Sequence, residues 1–509
     1  TLQRLMDKEP KAQLLMQLAS KIEGLPRHTS VHAAGLVMSE EVLTTHVPLM
    51  KKNENVLLTQ YPMDILEDIG LIKMDFLGLK NLSLLEHIMF SIRREEGKKI
   101  NIRQLPTDDP QTFKRLAAGD TTGIFQLESA GMREALRQVK PTAFEDIAAV
   151  NALYRPGPME SIPVYARRKH GKEELTYLHD DLKEILSPTY GVIIYQEQIM
   201  QIAAVMAGYS YGEADLFRRA VSKKKHDVLE EERARFIDRA MGQGYPLETA
   251  SNVYDLILRF ANYGFTRSHA VAYSYIAYQL AYLKTHYPSH FYAALLTMNQ
   301  NNSLKIGSYQ REAVNKNVTI RPPSINKSRV GFYAKEKDIY YGFLALKYVN
   351  ISLARTIVSE RNNGYYQSFI DFLMRISINK TERKGIESLI KAGAFDELEN
   401  DRAKLLASLD QAIEYAEFQK DLGGLLTGVE NNFRYVDTEP FSDQERYEAE
   451  KEATGHYLTG HPLEKFQRVL KPFSPLPLHK ELPQKGAFWT AGIIDSVKAI
   501  RTRNGEAMS

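Results

Sequence analysis

The chain opens on a helical rhythm. Leu5, Leu14, Leu15, Leu18 and Ile22 recur at roughly helical spacing until Gly24-Leu25-Pro26 ends the segment. Residues 40–68 alternate short apolar runs with turns at Pro48 and Pro62. The stretch IGLIKMDFLGLKNLSLLEHI (69–88) then reads as a strand feeding a helix. Ile72, Met74, Phe76 and Leu79 are expected to bury the strand and its turn, Gly78 lets the chain bend, and residues 80–90 return to helical spacing. From Gly97 to about residue 300 the pattern is of long helices. One of them starts after Asp109-Pro110, with proline at its first position, and 178–210 reads as helix, strand-like run and helix. The Asn-rich break at 299–303 and Pro322-Pro323 separate a further region, in which 341–362 and 379–398 are two helical units of similar design. A helix at 402–418 follows. Residues 488–508 form two strand-like runs joined by Asn504-Gly505, a strong hairpin signal. The expected class is multidomain α+β, mostly helical.

Composition narrows this reading without naming a function. At roughly 150 residues per domain, 509 residues make three or four domains. The absence of cysteine excludes disulfides and thiolate–metal sites and fits a reducing cytoplasm. No uncharged apolar run is long enough to span a membrane; the nearest, 269–283, is broken by Ser and Gln. The first residues are polar and charged, so no signal peptide is expected, and the lack of an initiating Met suggests an internal start. With 66 basic and 63 acidic residues the net charge is only +3, so any nucleic-acid role must rest on local patches.

The sharpest such feature is Asp75, one acid in an apolar run, with Lys73 two residues before it and hence on the same strand face. A carboxylate and an ammonium at a strand end suit a site for Mg²⁺ and polyphosphate; the alternative is a salt-bridged strand end. Asp64, Glu67 and Asp68 read as part of a preceding helix, away from Asp75. His28 and His32 have metal-binding spacing only on a helix, which the Gly-Pro neighbourhood argues against. YRPGPM (154–159) reads as a rigid loop presenting Arg155, or else a domain elbow. Arg218, Arg219, Lys223, Lys224 and Lys225 form a basic stripe that is either a phosphate surface or a solvated helix face. Arg267 and His269 begin a helix carrying Tyr273, Tyr275, Tyr278 and Tyr282. Cations with stacking rings suit nucleotides, and a tyrosine-rich core helix is the alternative.

Six segments occur together in one order: LPRHTSVHAAG (25–35), TQYPMDILEDIGLIKMDFLGLK (59–80), TTGIFQLES (121–129), YRPGPM (154–159), DLFRRAVSKKK (215–225) and FTRSHAVAYSYIAYQLAYLKTHYP (265–288). In these the chain closely resembles the alpha subunit of bacterial replicative DNA polymerase III, of the Gram-positive type. The resemblance implies a palm over 1–96, fingers over 97–300, a clamp-binding domain with helix-hairpin-helix units over 301–475, and the start of an OB-fold over 476–509. It casts Asp75 as the third catalytic carboxylate and a ligand of Mg²⁺, and Lys73 as a phosphate contact. Arg218 and Arg219 would grip the incoming triphosphate, with Arg155, Lys223, Arg267 and His269 as further phosphate or nucleotide contacts. Lys347 and Lys391 would meet duplex DNA, although Tyr348 and Asn350 replace the glycines usual in the first hairpin. Gln419, Leu422 and Leu425 would dock a sliding clamp, with Gly423 where an aromatic is usual. KEATGHYLTGHPLEKF (451–466) matches a further segment, read as structural. The implied activity is two-metal transfer of deoxynucleotides from their triphosphates to primed template DNA in chromosomal replication. The implied partners are the sliding clamp (beta subunit) and other replisome subunits, with no membrane. The Asp-x-Asp pair usual before the third carboxylate is not found ahead of Asp75. A piece lacking the amino-terminal part, inactive alone, is therefore expected, and a non-catalytic module binding DNA and the clamp is the alternative.

Overall fold

The computed structural model describes residues 5–7, 9–25, 30–32, 34–54, 56–222, 226–261, 263–376, 380–421, 433–476, 487–494, 499–501 and 507–508. They fall into two compact units, Thr1–Lys80 and Asn81–Ser509.

In the first unit the expected amino-terminal helix forms over Pro10–Ile22, with proline in its first turn, where a missing N–H costs nothing. None of its residues is buried, so Leu14, Leu15, Leu18 and Ile22 form an apolar stripe that no described residue covers. Strands β1 (Gly35–Met38), β2 (Leu49–Asn53), β3 (Val56–Thr59) and β4 (Ile72–Asp75) make two antiparallel ribbons, β1 with β4 and β2 with β3. A helix over Met63–Asp68 precedes β4, as the sequence predicts. Val47, Leu66 and Leu71 form a small core, with Val37, Leu43 and Leu49 packed on it. Burial of the β4 run is corrected by the structure: Ile72, Met74 and Phe76 are 62, 44 and 59% exposed. The register explains why. Met74 pairs with Leu36 and Ile72 with Met38, so one face of the β1–β4 ribbon is apolar on both strands, and all four side chains stay exposed.

The second unit begins within the helix Lys80–Glu96, whose Leu84, Leu85, Ile88 and Ile92 are buried in its main core. The compact break thus falls at Lys80, whereas the sequence reading carries the first domain to residue 96. Helices dominate from here. Pro110–Ala117 starts at the predicted proline, with Asp109 accepting from the Thr112 amide at 2.8 Å. Gln196–Ala207, Tyr211–Ser222, His226–Gly242 and Leu247–Ala261 enclose a second apolar cluster, in which the Phe217 and Phe236 rings stack with centres 5.6 Å apart. Arg267–His286 buries Ala277, Leu280, Ala281 and Leu283 and, among them, the ammonium of Lys284. A buried cation persists only with partners. Lys284 Nζ lies 2.9 Å from the Thr122 carbonyl, 2.7 Å from Glu312 and 3.3 Å from Asp120. Burial pushes Lys284 down. It would raise Asp120 and Glu312, but Lys284 and its neighbours hold both carboxyls below the ordinary range.

Beyond Pro322-Pro323 lies part of a three-stranded sheet: β7 (Asp338–Tyr340) lies between β5 (Thr319–Arg321), parallel to it, and β6 (Tyr333–Lys335), antiparallel to it. Helices Ile351–Glu360, Phe369–Arg375, Lys380–Lys391 and Arg402–Asp421 follow and share the main core. Buried Glu450, on the helix Asp443–Thr454, takes Arg402 at 3.1 Å and the amides of Leu458 and Thr459 at 3.0 Å each, which fixes the GHYLTGHP segment. Strands β8 (Ile500–Arg501) and β9 (Ala507–Met508) pair antiparallel, as a hairpin requires; Asn504-Gly505 lies outside the described residues. No described helix is long and apolar enough to cross a membrane.

Candidate functional site

The β1–β4 register sets Gly35 opposite Asp75 and Val37 opposite Lys73. Lys73 and Asp75 share a face, as their spacing predicts, and Lys73 Nζ donates to Asp75 Oδ1 at 2.7 Å. That hydrogen bond, with the ammonium's charge behind it, holds the Asp75 carboxyl below the usual aspartate range, against slight desolvation. Asp75 is half-exposed, so the pair contributes little to stability. His32 Nδ1 lies 3.7 Å from the same oxygen. It accepts the amides of Gly35 at 2.7 Å and Ala34 at 3.2 Å, so its lone pair is committed and the approach is not an ion pair. His32 stands outside any helix and His28 outside the described residues; among the latter no group of three His, Cys, Asp or Glu side chains could hold a metal. Gly35 makes room for the cluster. A Cβ there would lie 2.9 Å from both His32 Nδ1 and Lys73 Cε, and 3.1 Å from Asp75 Oδ1. Chemically the site offers one ionised oxygen ligand and one cation able to neutralise phosphate.

In the second unit, Arg218 and Arg219 leave the helix Tyr211–Ser222 together, and both reach Asp215, at 2.7 and 2.8 Å. An acid three and four residues before two arginines is a pairing that the sequence displays beside the basic stripe, since those spacings bring side chains together on a helix. Arg219 is largely exposed and Arg218 mostly covered. Lys223 lies outside the described residues. The Arg155 guanidinium turns inward: it donates to the Ala152 and Tyr263 carbonyls at 2.9 and 2.7 Å and lies 4.4 Å from the Phe265 ring centre. The loop can approach that turn because Gly157, at φ +98°, carries no Cβ to strike the Tyr263 ring. Arg267 opens its helix with its amide held by Glu197, at 2.9 and 3.0 Å, and its guanidinium 3.1 Å from Glu145. Exposed His269 packs on Phe265 and Tyr273. The tyrosines following it serve the fold. Tyr278 is buried and bonds the Pro106 carbonyl at 2.7 Å, Tyr275 reaches the Arg103 carbonyl, and Tyr273 stacks on Phe125.

Further along, exposed Lys347 precedes Tyr348, which sits at φ +64°, and Asn350 caps the helix Ile351–Glu360 by accepting from the Leu353 amide at 2.8 Å. Lys391 departs from the expected phosphate contact: its ammonium is held by Glu387 and Glu452 at 2.8 Å each, joining the helices Lys380–Lys391 and Asp443–Thr454. Gln419 lies in the last turns of the helix Arg402–Asp421; Leu422, Gly423 and Leu425 lie outside the described residues.

Three family models match the chain. Residues 1–78 match the bacterial DNA polymerase III alpha NTPase domain, 81–244 the bacterial DNA polymerase III alpha subunit finger domain, and 317–405 a helix-hairpin-helix motif. A protein of Halalkalibacterium halodurans named DNA polymerase III subunit alpha is 49% identical over 100% of this chain and 46% of its own length. The chain belongs to the bacterial DNA polymerase III alpha subunit family. Alpha subunits of Bacillus subtilis, 48% identical over 99% of the chain, and Staphylococcus aureus, 44% identical over 97%, agree, and each is covered over 46% of its length. The chain therefore spans just under half of the alpha subunits that it matches. The finger-domain match starts where the second unit does, and the helix-hairpin-helix match takes in Lys347, Tyr348 and Lys391.

Proposed function

We propose that the chain is part of a DNA-directed DNA polymerase, a nucleotidyltransferase that extends primed template DNA with deoxynucleotides during chromosomal replication. The observation that carries this is the Lys73–Asp75 pair at the end of β4, the position where the family resemblance puts a palm carboxylate. In this reading Asp75 offers Mg²⁺ an oxygen ligand, and Lys73 neutralises phosphate charge. Arg218 and Arg219 exchange Asp215 for the triphosphate, with Lys223, Arg155, Arg267 and His269 adding positive charge around it. Lys347 meets duplex backbone, while Gln419, Leu422 and Leu425 dock the sliding clamp. An OB-fold opening at 476–509, other replisome subunits as partners and a cytoplasmic location belong to the same reading.

The residues present do not fit a two-metal site by themselves. One aspartate alone cannot hold two ions about 3.5–4 Å apart, and no described trio of acidic or histidine ligands surrounds it. No metal-dependent step is assigned to the chain on its own, and isolated it is expected to bind nucleic acid weakly and extend nothing. In the protein at the length of its relatives, Asp75→Asn should abolish primer extension while leaving primed-DNA affinity within a few-fold, because affinity comes from distributed phosphate contacts. Near-normal turnover in that variant would overturn the site. The single carboxylate also favours a second reading, a non-catalytic module that binds DNA and the clamp; primer extension by the purified 509-residue chain with Mg²⁺ and deoxynucleotides would exclude that module.

A further inference from the structure

The second unit contains a cleft of about 780 Å³ that none of these roles uses. The helix Lys80–Glu96 lines it with Phe90 and Arg94; Arg329, Lys335, Arg361 and Tyr365 line it from other elements. Its framework is fixed by polar contacts. Glu95 receives Arg329 at 2.5 Å, and His290 bonds Ser91 at 2.8 Å and Glu96 at 3.0 Å, which pins the helix to Pro288–Met298. Across the β6–β7 register Tyr333 stacks on Tyr340 at 4.9 Å, with the Arg329 guanidinium 3.8 Å from the Tyr333 ring centre.

Two features of this cleft call for a ligand. The first is charge: Glu95 is the one acid among the described lining residues, against Arg94, Lys327, Arg329, Lys335 and Arg361. Arg329 and, at 3.4 Å, Arg94 are paired with Glu95, and Lys327 with Glu397, but no described carboxylate pairs with Lys335 or Arg361. Arg361 donates to the Ser328 carbonyl, and desolvation depresses its pKa, so a cation is held partly out of water without a counter-charge. The second is aromatic surface. Phe90 and Tyr365 are 63 and 67% exposed, and neither packs on another described ring. An apolar partner would leave the cations unpaired, and a simple polyanion would leave the rings in water. A chain of phosphates and unpaired bases satisfies both, because every base offers a face for stacking and a duplex does not.

We propose that this cleft binds a segment of single-stranded DNA, its phosphates on Arg94, Lys335 and Arg361 and its bases on Phe90 and Tyr365. A cation and a ring on each of two walls, Arg94 with Phe90 on one and Arg361 with Tyr365 on the other, suit several linked nucleotides better than one. The inference goes beyond the polymerase reading and does not depend on it, since it concerns binding without chemistry.

The test uses the 509-residue chain and a fluorescent oligo(dT) carrying 5-iodouracil. Photocrosslinks should map to Phe90 and Tyr365, and Phe90→Ala with Tyr365→Ala should weaken oligo(dT) about tenfold, the scale of lost base stacking. Duplex affinity should stay within about twofold, and Lys335→Ala should lower the salt slope of oligo(dT) binding by about one. Both rings are exposed, so folding should survive, and the crosslink map of the unaltered chain decides the matter if it does not. Crosslinks elsewhere with unchanged oligo(dT) affinity would overturn the proposal. So would protection of the cleft by free dTTP with none by oligo(dT), which would make the ligand a mononucleotide.

Discussion

Asp75 reaches its setting through a residue with no side chain. Gly35 faces it across the ribbon, and the flexible Lys73 stem occupies the space that a Cβ would fill. Gly35→Ala should therefore displace the ammonium and let the Asp75 carboxyl titrate upward, toward the ordinary aspartate value. Carbon-13 NMR of the labelled carboxyl checks this, and an unmoved titration would show that the pair tolerates the methyl. The change in stability should stay under about 1 kcal/mol, because alanine costs less chain entropy than glycine in a strand. Tyr348 presents the reverse case. A side chain at φ +64° costs about 1–2 kcal/mol, of which glycine would return all but its own extra chain entropy of about 0.5–1 kcal/mol. Tyr348→Gly should stabilise the protein by about 0.5–1 kcal/mol in urea unfolding, with the loose Lys384 contact to the ring lost. The Lys73–Asp75 pair was legible in the sequence because a two-residue spacing fixes a strand face. The part played by Gly35 was not, since it acts through a register forty positions away.

At the scale of elements, the segment after Asp443–Thr454, which Glu450 fixes, also buries a ring that resists charging. His456 has Nε2 3.4 Å from the Tyr341 hydroxyl, and its amide and carbonyl both meet the Thr454 hydroxyl. Burial pushes its imidazole down to about 4. A folded pKa below the ordinary value near 6.5 means that the fold keeps the neutral ring. The resulting contribution is complete above about pH 6.5 and is lost as the pH falls toward 4; a shift of this size amounts to about 3 kcal/mol. Urea midpoints should drop over that interval in the parent protein and less steeply in His456→Gln. Equal slopes would show that the ring is not the group responsible. The same scale explains β4: its alternation specified a two-sided strand, but a ribbon of two strands has too few neighbours to cover its apolar face.

Across the whole molecule the two units differ in how much they bury. Among the described residues the first has three buried apolar side chains in one small core, whereas the second has two larger clusters, the main one drawing on residues from Leu84 to Ala453. Local opening should therefore require less free energy in β1 and β4 than in the helices Lys80–Glu96 and Arg267–His286. Hydrogen-exchange mass spectrometry should find residues 35–75 exchanging first, and uniform protection would contradict the prediction. A bound metal or nucleotide at Asp75 should slow that exchange, because a ligand of the folded state stabilises it by mass action.

The sequence by itself determined what depends on neighbours in the chain. The helices follow from apolar spacing and from Pro110 behind Asp109, and the shared face of Lys73 and Asp75 from strand geometry. The family follows from six motifs in order. Tertiary structure decided where the charges and rings went. Lys391 is committed to Glu452 and Tyr278 to Pro106, so residues that read as ligand contacts hold the fold instead. The reverse holds at Phe90, Lys335, Arg361 and Tyr365, which no motif or spacing links along the chain and which converge on one cleft. The physical reason is the same in both directions. A side chain's partners are chosen by packing among segments far apart in sequence, and no local spacing encodes that choice.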